Sequence, residues 1–402
     1  ANPATKVLLL EAGGSDRNPW IHIPVGFTKL LNHPRLNWCF QAEAEENVKG
    51  RRIPIPRGKV LGGSSSINGL VYVRGQPRDY DMWAQLGNRG WSYTDVLPYF
   101  KKLETFERGG DELRGDTGPL HVADMYERHK LVDAFIDAGI ECGYQRNPDY
   151  NGAEQEGFGY YQVTERDGRR ESAAAAYLHP VRRRPNLMVK TGVHVTRIEV
   201  KDGRATGVHY QRGRGMHTAT ASGSVVLSAG AVQSPQILEL SGIGAPNLLA
   251  EHGIDVVQPL PGVGENYRDH YTARVNWRVT QPITLNQQTR GLSLAREVLR
   301  YAFTRRGVLT FAVGIGTGFV RSRPELETPD CQLIFAHASF DDSATRTLER
   351  EPGMTIGVYQ CRPESRGSIH IGCADPFAAP KIRPNFLAEQ LDRDTLIAGL
   401  RI

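Results

Sequence analysis

Residues 58–75 read Gly-Lys-Val-Leu-Gly-Gly-Ser-Ser-Ser-Ile-Asn-Gly-Leu-Val-Tyr-Val-Arg-Gly. Two adjacent glycines, Gly62 and Gly63, and three serines, Ser64 to Ser66, interrupt a chain that is apolar on both sides. Glycine allows backbone conformations and close approaches that a Cβ forbids, at an entropic cost. The three hydroxyls add hydrogen-bonding capacity. A ligand lying against the main chain would explain both features together, whereas a flexible loop would explain the glycines alone.

A second feature lies at the start of the chain. Lys6-Val-Leu-Leu-Leu-Glu11 reads as a buried strand ending in an acid, followed by Ala12-Gly13-Gly14. In a dinucleotide-binding βαβ unit the second strand ends in an acid that accepts hydrogen bonds from ribose hydroxyls. Many parallel strands end in glutamate, so Glu11 alone is a weak signal. A third stretch adds to it. Ser224-Val-Val-Leu-Ser-Ala-Gly230 reads as a buried strand, and 231–244 as a stretch that forms a helix capped by Ser234, with Pro235 at its first position and Gly242 as its stop. Backbone N–H groups at such a strand-to-helix junction can face a phosphate or a ribose.

Taken together, 58–75 and 230–244 resemble the two signature segments of the glucose-methanol-choline (GMC) flavoprotein oxidoreductases. Arg169-Arg-Glu-Ser-Ala-Ala-Ala-Ala-Tyr-Leu178, Asn186-Leu-Met-Val-Lys-Thr191 and Pro261-Gly-Val-Gly-Glu-Asn-Tyr-Arg-Asp-His270 follow the family's order. Val71-Tyr-Val-Arg-Gly75 and Asp79-Tyr-Asp-Met-Trp83 are most similar to the choline and aliphatic-alcohol dehydrogenase branch. The resemblance implies FAD as cofactor, held without a covalent bond. Glu11 then falls at the ribose, Val60, Gly62, Gly63, Asn68, Gly69, Leu70 and Val71 along the flavin segment, Val195 at the adenine, and Ala229 and Gly230 in the second signature. Some members tether FAD through a histidine just before the residue matching Asn68. Here that residue is Ile67, which has no nucleophilic nitrogen.

The implied reaction is oxidation of an alcohol to an aldehyde or ketone by hydride transfer to the flavin, with oxygen or a quinone- or dye-type acceptor taking the electrons. The family's base is a histidine, paired with a second histidine or an asparagine, that no residue here matches. It is expected beyond Ile402, and a G-x-G-x-x-G turn is expected upstream of residue 1, so both ends read as cut. The 402 residues alone are therefore expected not to turn over alcohols. A GMC-fold hydroxynitrile lyase and a non-catalytic FAD-binding protein stay open at this point. An NAD-dependent dehydrogenase would share Glu11 but leave 58–75 unexplained.

The implied fold class is an α/β FAD-binding (Rossmann-like) domain plus an α+β substrate domain with an antiparallel sheet. The first is expected from 1–118 and 170–270, the second from 119–169 and 271–402, where Thr355 to Tyr359 and Gly367 to Gly372 alternate as antiparallel strands do. The bulk composition is compatible. A chain of 402 residues with a net charge of +5 has room for two domains and no strong bias toward nucleic acid. Cys39, Cys142, Cys331, Cys361 and Cys373 are odd in number and form no C-x-x-C pair, which suits a reducing, cytoplasmic setting, with peripheral membrane attachment left open. No apolar run approaches the roughly 18 residues of a membrane span.

Smaller segments carry their own expectations. Arg212-Gly-Arg-Gly215 reads as a hairpin turn, not an RNA contact. His121, His194 and His370 read as strand residues, His270 as structural, Arg182 to Arg184 as a solvated helix end, and 77–87 and 95–104 as helices. The segment 391–402 has helical spacing at Leu391, Leu396 and Leu400.

Overall fold

The computed structural model describes residues 2–342 and 347–402. In chain order, strand β1 (Val7–Glu11) leads to helices α1 (Pro77–Gln85) and α2 (Tyr93–Leu103), strand β2 (Leu120–Asp124) and helix α3 (Lys130–Glu141). Strands β3 (Gly157–Tyr160), β4 (Glu165–Arg166), β5 (Arg169–Arg170), β6 (Leu187–Thr191), β7 (Val193–Lys201), β8 (Arg204–Arg212) and β9 (Gly215–Thr220) follow. Then come α4 (Gly230–Leu240), β10 (Glu265–Tyr267), β11 (Ala273–Arg278), α5 (Gly291–Thr304), β12 (Gly316–Val320) and β13 (Cys331–Ala336). The chain ends through β14 (Gly353–Gln360), β15 (Gly367–His370), β16 (Lys381–Arg383) and α6 (Gln390–Arg401).

The largest sheet has five antiparallel strands in the order β11-β14-β13-β12-β3. Strict alternation sets its faces. Leu333 pairs with Val358 and Phe335 with Ile356, and this face takes α3 through the stacked Phe135–Phe335 rings, with centroids 4.9 Å apart. Phe158 fills the space left by two glycines: a Cβ on Gly139 or on Gly318 would lie 2.6 or 2.7 Å from its ring. These side chains belong to one buried cluster that also takes in Leu70, Tyr161 and Phe311. Thr355 to Tyr359 therefore lies in this sheet, whereas 367–370 joins a separate three-stranded antiparallel sheet, β10-β15-β16.

β1 and β6 run parallel, Glu11 opposite Thr191. Their sheet has two strands, so β1 is less buried than its apolar run suggests: Val7 is 47 % and Leu8 39 % exposed. The same physics corrects the reading of 224–228. An apolar run becomes a buried parallel strand only with neighbours on its edges and cover on its faces. Here the segment pairs with no strand among the described residues, and Val226 is 81 % exposed. The helix after it also starts earlier than expected. Gly230, at φ +86°, begins α4, so Pro235 sits inside the helix and Ser234 is not its cap, while Gly242, at φ +77°, ends it as read.

Other local expectations hold. β8 and β9 form a hairpin through Gly213-Arg214, and His121, His194 and His370 lie in strands. α1 and α2 form where expected, the second capped by Ser92 and Asp95 reciprocally, and Arg182 to Arg184 is exposed. α6 forms too, but buries Asp392, Thr395, Leu396 and Gly399; Leu391 and Leu400 stay about two-fifths exposed, at 39 % and 42 %.

Candidate cofactor site

The glycine-rich segment is pinned at alternate points. Val60, Leu61, Ile67 and Leu70 are buried to 2 % or less, while Ser64 and Asn68 face outward. Gly62 and Gly63, at φ +90° and +55°, turn the chain into a short 3-10 helix over Gly63–Ser66. The two glycines serve different needs. A Cβ on Gly62 would lie 2.4 Å from the Ser66 hydroxyl, so that close approach is to protein. A Cβ on Gly63 would have no heavy atom within 4 Å, so its bare face is open. Gly69 resembles Gly62: its Cβ would lie 2.6 Å from Val313.

Leu70 is the strained member. It is fully buried with φ +66°, a conformation that costs a β- or γ-branched residue roughly 1–2 kcal/mol. Its surroundings impose it. The Leu70 N–H donates to Asn68 Oδ1 at 3.1 Å, and its carbonyl accepts from the Thr164 amide at 2.9 Å. Strain held in this way is a feature of ligand clamps, and it falls within the run Asn68 to Val71.

The end of β1 lies against this segment backbone to backbone. A Cβ on Gly13 would sit 1.9 Å from the Lys59 carbonyl oxygen, so only glycine fits there. Gly14 bridges Val60 in parallel, and the Leu61 amide donates to the Gly14 carbonyl at 3.0 Å. Glu11 accepts a hydrogen bond from the Gly13 amide at 2.7 Å. Burial raises its pKa, with that amide and the Lys59 charge pulling the other way. The Gly192 amide donates to the Gly13 carbonyl at 2.8 Å, which brings in the turn before β7 and hence Val195, paired with Tyr210.

Ala229 and Gly230 lie exposed at the start of α4. The body of that helix packs on β7, where the Ile198 amide donates to the Ser241 hydroxyl at 2.8 Å. A cleft of about 510 Å³ has Lys59, His194 and Gln233 in its wall, the rest of which comes mainly from 38–43 and 376–381. It therefore touches the flavin-type segment, the neighbour of Val195 and the first turn of α4. Cβ positions on Gly14, Gly63 and Gly230 all point into open space. Bare backbone at three turns and an acid at a strand end fit a dinucleotide cofactor.

His270 stacks on Tyr359 with centroids 4.2 Å apart, beside Asp269. Ile67 points away from any open face, into a cluster with Ile21, Leu30, Leu36 and Val60.

Two buried ionic groups that the sequence did not single out hold the segment in place. Arg170, 2 % exposed, donates from Nε to the Ile21 carbonyl at 2.8 Å and from Nη2 to the Asn68 carbonyl at 2.8 Å. Its Nη1 reaches the Ser65 carbonyl at 3.1 Å and Asn68 Oδ1 at 2.5 Å. Glu165 pairs with Arg170 across the β4–β5 hairpin, is fully buried, and has no hydrogen-bond partner on either carboxylate oxygen. Burial pushes its pKa up to about 8, against the opposing charge of Arg170. The other group is Glu104, which accepts from Arg74 at 2.5 Å and from Arg114 at 2.9 Å, all three buried. It anchors the far end of the segment at Arg74.

Residues 28–272 match the family model described as GMC oxidoreductase. The chain is 41 % identical over its whole length to an alcohol dehydrogenase [acceptor] of Pseudomonas putida, covering 73 % of that protein. It is 40 % identical, over 96 % of its length, to an oxygen-dependent choline dehydrogenase of Vibrio vulnificus, covering 69 % of it. Among solved structures, a pyridoxine 4-oxidase from Mesorbium loti superposes with a TM-score of 0.87 at 27 % identity, covering all of this chain and 75 % of that one. A formate oxidase gives 0.90 at 25 % identity, over 99 % of this chain and 76 % of that one. With a family model spanning most of the signature region and relatives at two-fifths identity along the whole chain, this protein belongs to the GMC oxidoreductase family.

Proposed function

We propose that the surface formed by Glu11, residues 58–71, Val195 and the start of α4 holds FAD, and that the protein oxidises an alcohol. The observation that carries this reading is the meeting of β1 and the glycine-rich segment, where Gly13 leaves room for Lys59 and Gly63 leaves an open face. Bound FAD supplies the electron sink that accepts a hydride from the carbinol carbon. The chain supplies binding and orientation. Glu11, at a strand end, accepts hydrogen bonds from ribose hydroxyls. Gly63 and Gly230 present main chain without a Cβ. Asn68 to Val71, locked by Arg170 and by the strained Leu70, sets where the reacting end of the cofactor lies. Val313, packed on Gly69, brings the five-stranded sheet's approach loop to the same place.

The alcohol substrate and a separate electron acceptor follow from what the dehydrogenase relatives are. The parts 1–118 and 170–270 form the cofactor-binding unit in this reading, and 119–169 and 271–402 the substrate unit. The five-stranded sheet supports the division, since β3 comes from the first substrate part and the other strands from the second. FAD is held without a covalent bond, because Ile67 is aliphatic and buried. All five cysteines are free, which suits the reducing compartment proposed for it.

The test is FAD affinity in two variants of the protein produced from its whole gene. Glu11→Gln removes a charged acceptor worth roughly 1.5–3 kcal/mol, so FAD binds about 10- to 150-fold more weakly. Gly63→Ala enters open space in the protein and costs fold stability only about 1–2 kcal/mol for its positive φ, yet it places a methyl where the cofactor lies. Unchanged FAD affinity in both variants refutes this placement.

A further inference from the structure

α5 turns its apolar side to solvent. Leu292 is 90 % exposed, Phe303 85 %, Leu299 58 %, Val298 45 % and Leu294 39 %. At 100° per residue these five, with Ala295 and Ala302, occupy one continuous half of the helix. The opposite side is the one that packs, through the buried Glu297 and Tyr301. A soluble helix normally does the reverse. Isolated exposed leucines need no explanation, but a whole apolar face on one helix does.

The charges around that face select its partner. Between residues 290 and 306 the chain has five arginines and one glutamate. Arg296 and Arg300 border the apolar half beside Phe303, and the Arg296 side chain is 82 % exposed, with its Nε 4.0 Å from the Glu297 carboxylate. Arg290 donates to the Leu348 and Glu349 carbonyls, Arg305 lies 5.0 Å from the centre of the Tyr301 ring and Arg306 4.2 Å from that of Tyr126. Those partners are uncharged, so the three keep their positive field. Arg296 and Arg300 are the exceptions, since Arg296 pairs with Glu297, and Arg300 with Glu127 and Glu297. Leucine and phenylalanine on one side of a helix, with arginines along its border, is the pattern of a helix lying in a lipid interface. The helix is 14 residues long and no helix among the described residues is long and apolar enough to cross a membrane, so it lies flat.

We infer that α5 docks this protein on an anionic phospholipid surface, with Leu292, Leu299 and Phe303 inserted and the arginines facing the headgroups. The docked helix is coupled to the cofactor segment through few steps. The Tyr301 hydroxyl donates to the Gly168 carbonyl at 2.9 Å, and Gly168 lies in the turn of the hairpin that carries Arg170. The Arg170 side chain in turn holds Asn68. An apolar alcohol or a lipid-dissolved electron acceptor would thus meet the protein close to its reaction centre.

The experiment is vesicle flotation of the whole-gene protein, with phosphatidylcholine–phosphatidylglycerol mixtures against phosphatidylcholine alone. The protein floats with the mixed vesicles and not with the neutral ones, and added salt releases it. Arg296→Gln weakens binding about fivefold, and Phe303→Glu or Leu299→Glu by about tenfold or more. All three side chains are exposed, and unchanged circular dichroism confirms that the variants fold. Equal binding to neutral and anionic vesicles overturns the inference, as does wild-type flotation of the Phe303 and Leu299 variants. So does a dimer in sedimentation velocity that those variants dissolve, which would assign the face to a second copy of the chain.

Discussion

Replacing Arg170 with methionine keeps the apolar length of the side chain and deletes its charge and all its donors. Four hydrogen bonds are lost, to the Ile21, Ser65 and Asn68 carbonyls and to Asn68 Oδ1. Glu165 also loses the opposing charge buried beside it. Hydrogen bonds from a charged donor contribute roughly 1.5–3 kcal/mol each, so four summed naively would give about 6–12 kcal/mol. Ordering an arginine costs about 2 kcal/mol, and such deletions are not additive. Removing one partner from a buried ionic site costs about 3–5 kcal/mol in total, and that is the expected local loss. It should appear as faster hydrogen exchange at the Ile67, Asn68 and Leu70 amides, whose acceptors are Ser64 O and Asn68 Oδ1. At about 1.4 kcal/mol per tenfold, exchange there rises roughly 10²- to 10⁴-fold, while amides in β13 and β14 keep wild-type rates. A rise below about threefold would mean that the segment keeps its shape without Arg170, and the clamp argument would fail.

Two further outcomes follow from the same site. Glu165 has a folded pKa above its ordinary value, so the folded protein binds its proton more readily than the unfolded chain does. That contribution to stability is complete below the ordinary carboxylate range and is lost as pH rises to about 8. Glu165→Gln should flatten the corresponding fall in thermal midpoint, and an unaltered slope would remove Glu165 as its source. Acid precipitation of the flavin-loaded protein should leave the yellow colour in the supernatant, because Ile67 offers no atom for a flavin bond; colour retained in the pellet would contradict this.

The sequence was most legible where one residue type answers one backbone need. Gly62, Gly63 and Gly230 were read as special and all have positive φ. Glu11 was placed at a strand end, and the structure puts it there. What the sequence could not show was which atoms each glycine approaches. Gly62 and Gly69 make room for protein, Gly63 for open space, and their local patterns are alike. Strand burial was overread at 7–11 and 224–228, because an apolar run reports what a segment can pair with and not whether neighbours are present. The Arg170 clamp was invisible for another reason. Two adjacent arginines look solvated, and only the β4–β5 pairing, which puts Arg170 inward and Arg169 outward, distinguishes them. The sole hint was alternation around Gly168. The catalytic base was not legible in these residues at all.

The central claim is that this is a flavin enzyme acting on alcohols, and anaerobic visible spectroscopy of the whole-gene protein tests it most directly. The protein should purify with one oxidised flavin per chain. Adding a primary alcohol without oxygen should bleach the flavin band and release one equivalent of aldehyde, with no need for a nicotinamide cofactor. A flavin band that no member of a broad alcohol panel bleaches, or aldehyde formation that depends on added NAD and not on the flavin, would contradict the account.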